Sequence, residues 1–169
     1  ASTEVTLVKN RHIVKAVSLP IGALTLTGTY QKGDEYTPKE LEKMTKAVKK
    51  TIKVHTWLQN IKLPLLGIGG TARNIAKIDQ RKLSYPITKL HNYELPYHRF
   101  HEILEAVKGK SLEARKKISG LSSDRADIII AGLTIVDELF NYVNTKTLVV
   151  GGCGLREGLF YDYYGENYL

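Results

Sequence analysis

The chain has 169 residues, 43% of them hydrophobic, enough to bury the core of one ordinary domain. No apolar run reaches the length of a membrane span, the opening residues do not form a signal peptide, and the single Cys153 excludes an internal disulfide framework and fits a reducing, cytoplasmic setting. Twenty-five Lys and Arg against 17 Asp and Glu give a net charge of +8, which favours a polyanionic partner: nucleic acid, polyphosphate, a nucleotide or an anionic surface.

Glu4 to Val8 and His12 to Val17 alternate polar and apolar residues around an Asn10-Arg11 turn, which predicts a β-hairpin. Ser18 to Leu24 ends the second strand and leads into a connector. The chain opens almost inside a strand, which leads us to expect that it is part of something longer. Thr37-Pro38-Lys39-Glu40 is a helix start, with Thr37 as N-cap and Pro38 in the first turn. Leu41, Met44, Val48 and Ile52 then form an apolar stripe. The other face carries Lys43, Lys46, Lys49, Lys50 and Lys53, which reads first as a solvated face and second as a track for a polyanion. Trp57 reads as core or edge packing.

Pro64 to Ala76 predicts a short buried strand, a glycine turn and a helix opening at Thr71. Glycines let the backbone approach an anion, the orphan N–H groups of a helix start point at it, and Arg73 adds a planar fork of donors. Gly67-x-Gly69-x-x-Ala72 also fits a relaxed dinucleotide fingerprint, but a long region precedes it and the window Ile87-Thr88-Lys89-Leu90 carries no acid. That counts against a nicotinamide or flavin site.

Farther on, Ser84-Tyr85-Pro86 and His91 to Pro96 read as irregular or edge-strand material. A helix follows from about His98, with Phe100, Ile103, Leu104 and Val107 on one face, stopping at Gly109. His98, His101 and Glu102 lack a third ligand and read as surface rather than metal site. Ser111 to Ile118 predicts a short, solvent-facing basic helix. Ser123 to Asp127 caps a nearly all-apolar helix reaching Val143, where Gly132 admits another backbone. Thr147 to Val150, with no alternation, predicts a strand buried on both faces, as in a parallel sheet. It runs into Gly151-Gly152-Cys153-Gly154-Leu155-Arg156, a second strand–glycine–helix junction with an arginine, so a shared anion site is expected. Cys153 reads as a small packing residue.

Ser2-Thr3-Glu4 with its hairpin and Ser18 to Ala23, Gly67 to Arg73, Arg125 to Gly132, and Gly152 to Tyr163 together resemble, in order, the motifs of the exopolyphosphatase/guanosine pentaphosphate phosphohydrolase (Ppx/GppA) family. The resemblance covers essentially the whole chain. It implies an α/β, ribonuclease-H-like domain of the actin-like ATPase superfamily: a mixed sheet with an N-terminal hairpin and helices on both faces, here the second of two such domains. It implies that Glu4 helps hold Mg²⁺ or another divalent cation and the attacking water, and that Ser2 and Thr3 end a phosphate loop. Gly69, Gly70, Thr71, Arg73, Gly152 and Arg156 become the phosphate-binding residues. The family's metal-binding aspartate, most of its phosphate loop and its general-base glutamate stand before this chain's first residue or on a first domain, so the chain alone is expected to hydrolyse little. The expected role is therefore the second domain of a bacterial exopolyphosphatase acting on inorganic polyphosphate. The alternatives are a guanosine pentaphosphate phosphohydrolase and a non-catalytic phosphate- or nucleotide-binding module. A missing N-terminal domain is the expected partner, a homodimer stays open, and nucleic acid and membrane are disfavoured.

Overall fold

A computed structural model describes residues 1–85 and 89–168. Two strands, β1 (Thr3–Lys9) and β2 (His12–Leu19), pair antiparallel. Asn10 and Arg11 both take positive φ, 51° and 64°, the twist that a two-residue hairpin loop requires. The predicted connector is instead a helix, α1 (Ala23–Tyr30). Its threonines and glycine are poor helix formers, and the helix is set by burial of Leu26 and by packing against the central helix.

Helix α2 (Pro38–Lys53) begins with a complete capping box: the Thr37 side chain accepts from Glu40 N–H while the Glu40 carboxylate accepts from Thr37 N–H. Met44, Val48 and Ile52 are buried along one side, and Leu41 is half-buried. Trp57, half-buried in a 3₁₀ turn, lies 5.9 Å under the Lys15 ammonium of β2 and so holds the hairpin against the body.

The mixed sheet has three strands in the order β3 (Leu65–Gly67), β5 (Thr147–Val150), β4 (Tyr93–Pro96); β5 runs parallel to β3 and antiparallel to β4. The hairpin forms a separate two-stranded sheet. Two expectations about these strands are corrected. In β3 Leu66 is 63% exposed, because this strand lies at the sheet's edge. In β5 Leu148 and Val150 are buried while Thr147 and Val149 are half-buried, so burial alternates even though the sequence does not.

Helices α3 (Gly70–Lys82) and α4 (Tyr97–Lys108) pack on this sheet and on each other. α6 (Ile129–Val143) is the hub, buried along most of its length and touched by α1, α2, α3 and α4. Phe100 and Phe140 meet at 5.0 Å with Tyr97 5.1 Å from Phe140, an aromatic cluster adding about 1 kcal/mol per pair beyond its area. Asn144 ends α6 in the left-handed conformation.

The short α5 (Leu112–Lys116) is not solvent-facing throughout, because Arg115 is fully buried. Its Nη2 donates to Asp34 O at 3.3 Å, tying α5 to the loop before α2. α7 (Leu155–Tyr168) follows the second glycine turn. Pro86 and the Ile87–Thr88 part of the acid-free window lie outside the described residues.

Candidate functional site

The two glycine turns sit side by side because β3 and β5 are parallel neighbours, and Gly151 N–H donates to Gly67 O at 2.9 Å. Both therefore open at the carboxyl ends of strands, where ligands of α/β sheets bind. Gly69, the N-cap of α3, has φ of 109°, a region an L side chain enters only with strain. No side chain caps α3, and its first intrahelical bond runs from Arg73 N to Gly69 O at 3.1 Å. The N–H groups of Gly70, Thr71 and Ala72 thus precede the helical ladder and stand ready for an anion.

Two arginines border this turn. The Arg73 side chain crosses toward the second turn, its Nη2 standing 3.4 Å from where a Cβ on Gly154 would be. Its Nε is buried and has no acceptor among the described residues, a donor awaiting a partner. Arg125, from the 3₁₀ turn Ser123–Arg125, lies over Gly70, its Cζ 3.4 Å from a Cβ placed there. Asn74 joins the two pieces: buried, it donates to Gly70 O at 2.9 Å and accepts from Ser122 N–H at 2.8 Å. Thr71 nests against α6 at Gly132, where a Cβ would fall 2.7 Å from Thr71 Oγ1. The close approach that Gly132 permits is to this side chain rather than to another backbone.

The second turn is built differently. Gly152 N–H donates to His91 Nδ1 at 3.2 Å, and Gly154 N–H donates to Glu157 Oε2 at 2.6 Å. That backbone bond holds the Glu157 carboxyl below its usual range, with Arg156 and Arg73 contributing. So this turn already carries an anion of its own, and Arg156 projects from the first turn of α7, exposed. Cys153 is exposed as well, which corrects the packing role expected of it.

Ser2, Thr3 and Glu4 stand at the open end of the hairpin. The Ser2 and Ser18 hydroxyls donate to Glu4 Oε1 at 2.7 and 2.9 Å, and these two bonds hold the Glu4 carboxyl below its ordinary range. Thr3 Oγ1 donates to Ile21 O at 2.7 Å, so its hydroxyl is engaged with the chain just before α1. No side-chain hydrogen bond among the described residues joins these three to the glycine turns. Among the described residues no three His, Cys, Asp or Glu side chains gather into a metal cage. Glu4 nonetheless fits one place in a Mg²⁺ shell: its pKa is lowered, and the Ser2 and Ser18 hydroxyls both go to Oε1 and leave Oε2 to other partners. Mg²⁺ ordinarily takes one or two carboxylates and fills the rest with phosphate oxygens and water. His98 and His101 are exposed on α4, with His101 3.8 Å from Glu105.

An uncapped helix start between two arginines, beside a second glycine turn on a parallel strand, is a frame for phosphate groups. The model of the Ppx/GppA phosphatase family matches residues 1–166. The chain belongs to that family. It is 25% identical over 142 residues to exopolyphosphatase 2 of Mycobacterium tuberculosis, covering 82% of this chain and 44% of that protein. It is 24% identical over 170 residues to a guanosine-5'-triphosphate,3'-diphosphate pyrophosphatase of Photobacterium profundum, covering 96% of this chain and 32% of that one. The crystal structure of the Aquifex aeolicus Ppx/GppA family member superposes with a TM-score of 0.88 at 26% identity, over 99% of this chain and 54% of the other. The chain therefore spans about half the length of the solved Ppx/GppA protein and less of these curated relatives. Its α/β fold is that of the ribonuclease-H-like Ppx/GppA domains, as expected from the motifs.

Within this family frame, the sequence singles out the glycine turns, Arg73 and Glu4 as candidates but gives no site role to Arg125, Asn74, Ser18 or the Glu157 cap. Asn74 had a signal, a polar residue one turn after Gly70 on a helix face otherwise filled by Ile75 and Ile78. Arg125 opens the Arg125 to Gly132 motif, but its contact with Gly70 is made across the fold and left no local signal.

Proposed function

We propose that this chain is the second ribonuclease-H-like half of an exopolyphosphatase, which hydrolyses the terminal phosphoanhydride bond of inorganic polyphosphate. The observation that carries the reading is the uncapped start of α3 at the end of β3, with Arg73 and Arg125 on either side and Arg73 Nε lacking an acceptor among the described residues. In such a hydrolysis a water oxygen attacks the terminal phosphorus. The bridging P–O bond breaks, and orthophosphate and a shortened chain leave. Little covalent work falls to the protein, so positioning and charge stabilisation dominate. The N–H groups of Gly70, Thr71 and Ala72 would bind non-bridging oxygens of the terminal phosphate, and the two guanidiniums would balance its charge. Glu4, kept ionised by Ser2 and Ser18, would hold a divalent cation together with phosphate oxygens; that cation, when bound, neutralises the phosphates and lowers the pKa of a bound water. The general base and a second metal carboxylate would come from a first domain. The isolated chain would then bind phosphate but turn over slowly.

A second reading, guanosine pentaphosphate as substrate, is favoured by the similarity to the Photobacterium protein, whose name specifies that compound. Phosphate release in Mg²⁺ from medium-length polyphosphate, for this chain alone and for the chain joined to the first domain of a family relative, tests the proposal. Release only by the joined protein is expected, and swapping in guanosine pentaphosphate then sets the substrate. Release by this chain alone would overturn the division of the site. Silence in both forms would leave phosphate binding without catalysis.

A further inference from the structure

The lysines of α2 have no part in the phosphate site, and five of them fall on one line along the helix. Lys39, Lys43, Lys46, Lys50 and Lys53 follow one another at alternating steps of four and three residues and are all exposed. At 1.5 Å and 100° per residue they form a straight ridge about 21 Å long, on the side of the helix opposite Met44, Val48 and Ile52. The helix holds six lysines against two glutamates. Of the five ridge lysines, Lys46 alone has a carboxylate at salt-bridge distance among the described residues, Glu42 at 2.6 Å. Like charges three and four residues apart disfavour a helix, so this spacing works against the fold's own stability. The ridge also has a direction. Its Lys39 end follows Tyr36, which lies close enough to Asp127 to feel its charge, two residues past Arg125. Its far end lies beside the second half of α6, where Lys49 pairs with Glu138 at 3.5 Å and Tyr142 donates to Lys53 O at 3.3 Å. The ridge therefore leads away from the end of the fold that carries the phosphate cradle.

We propose that this ridge is a second binding site, taking the body of an extended linear polyphosphate whose terminal group occupies the glycine cradle. The identity of the ligand rests on the proposed function; the ridge itself does not. Five ammoniums in a row, four of them without a carboxylate at salt-bridge distance among the described residues, match a polymer with a charge on every unit and no other feature. Single-stranded nucleic acid fits less well, because such sites add aromatic faces on which bases stack, and none interleaves with these lysines.

The test compares long-chain polyphosphate, tripolyphosphate and single-stranded DNA as ligands of the chain, its triple variant Lys43→Ala, Lys46→Ala, Lys50→Ala, and Arg73→Ala. Alanine favours helix, so the triple variant should fold, with circular dichroism as the check. Long polyphosphate should bind the triple variant at least roughly tenfold more weakly, and the salt slope should fall by about 0.7 per lysine that contacted it. Tripolyphosphate, which offers only two units beyond a terminal group seated in the cradle, should bind the triple variant unchanged. An unchanged affinity for long polyphosphate would overturn the proposal, as would DNA binding of equal strength lost in parallel, which would make the ridge a general nucleic-acid face. Arg73→Ala should weaken tripolyphosphate. If it does not while the triple variant loses the long chain, the cradle reading fails and the ridge stands.

Discussion

At the residue scale, Glu4 shows how small neighbours set the state of a carboxylate. Two hydroxyl donors on one oxygen favour the ionised form. Replacing Ser18 with Ala removes one of them, so an NMR titration should show the Glu4 pKa moving up toward that of a free glutamate. If Glu4 holds the cation as proposed, the acidic limb of the pH–rate profile of a catalytically complete protein should move up with it. Tyr93 gives the opposite sign. Its hydroxyl donates to the buried Asp79 carboxylate at 2.6 Å, and burial, reinforced by that bond, raises the phenol to about 12. A phenol whose folded pKa is raised stabilises the fold below its unfolded value of about 10, and that contribution disappears as pH climbs through about 12. Denaturant unfolding between these values should show a loss on the order of 1 kcal/mol that Tyr93→Phe lacks.

At the element scale, the start of α3 depends on α6. Gly132→Ala would gain about 1 kcal/mol of helix propensity. It would also press a methyl to within 2.7 Å of Thr71 Oγ1 and 2.8 Å of its Cγ2, an overpacking that costs about 1–3 kcal/mol. The steric term wins, because Thr71 lies in the turn whose backbone Gly69 and Asn74 already fix. The variant should melt earlier and bind tripolyphosphate more weakly. Asn74→Ala removes both the clamp on Gly70 and the acceptor for Ser122 N–H, leaving buried polar groups unpaired at about 1–3 kcal/mol. Here too stability and anion affinity should fall together, since Arg125 follows Ser122 by three residues. Equal affinity in a destabilised Asn74→Ala would separate Arg125 from the cradle.

On the scale of the whole molecule, Arg115 is the most exacting buried group. It is 0% exposed, bonded once to Asp34 O, with Nε and Nη1 lacking partners among the described residues, and burial pushes its pKa down. Exchanging a buried ion for an apolar side chain of similar length is often neutral or favourable, whereas truncation leaves a void. Arg115→Met should unfold within about 1 kcal/mol of the parent or above it, while Arg115→Ala should lose about 2–4 kcal/mol, read from denaturant midpoints. A large loss in the methionine variant would show that the charge, rather than the volume, is needed here.

The sequence by itself determined the local pieces: the hairpin, the capping box at Thr37, the apolar stripe of α2, the buried α6 and both glycine turns, because periodicity and turn chemistry act within a few residues. It also carried the family, since its motifs fall in order along the chain, and the match over residues 1–166 bears that out. What it could not determine is anything decided by a neighbour distant in the chain. α1 forms despite three threonines and a glycine because α6 offers its apolar side chains a surface. β3 becomes an exposed edge and β5 the centre only when the strand order is fixed. Arg115, read as a solvent-facing residue, is enclosed because α5 docks against the loop before α2. The cradle divides in the same way. Glycines and Arg73 are readable because the helix start makes the donors, whereas Arg125 over Gly70, the Asn74 clamp and the Ser18 bond to Glu4 exist only where tertiary packing brings separate segments within hydrogen-bond or van der Waals range.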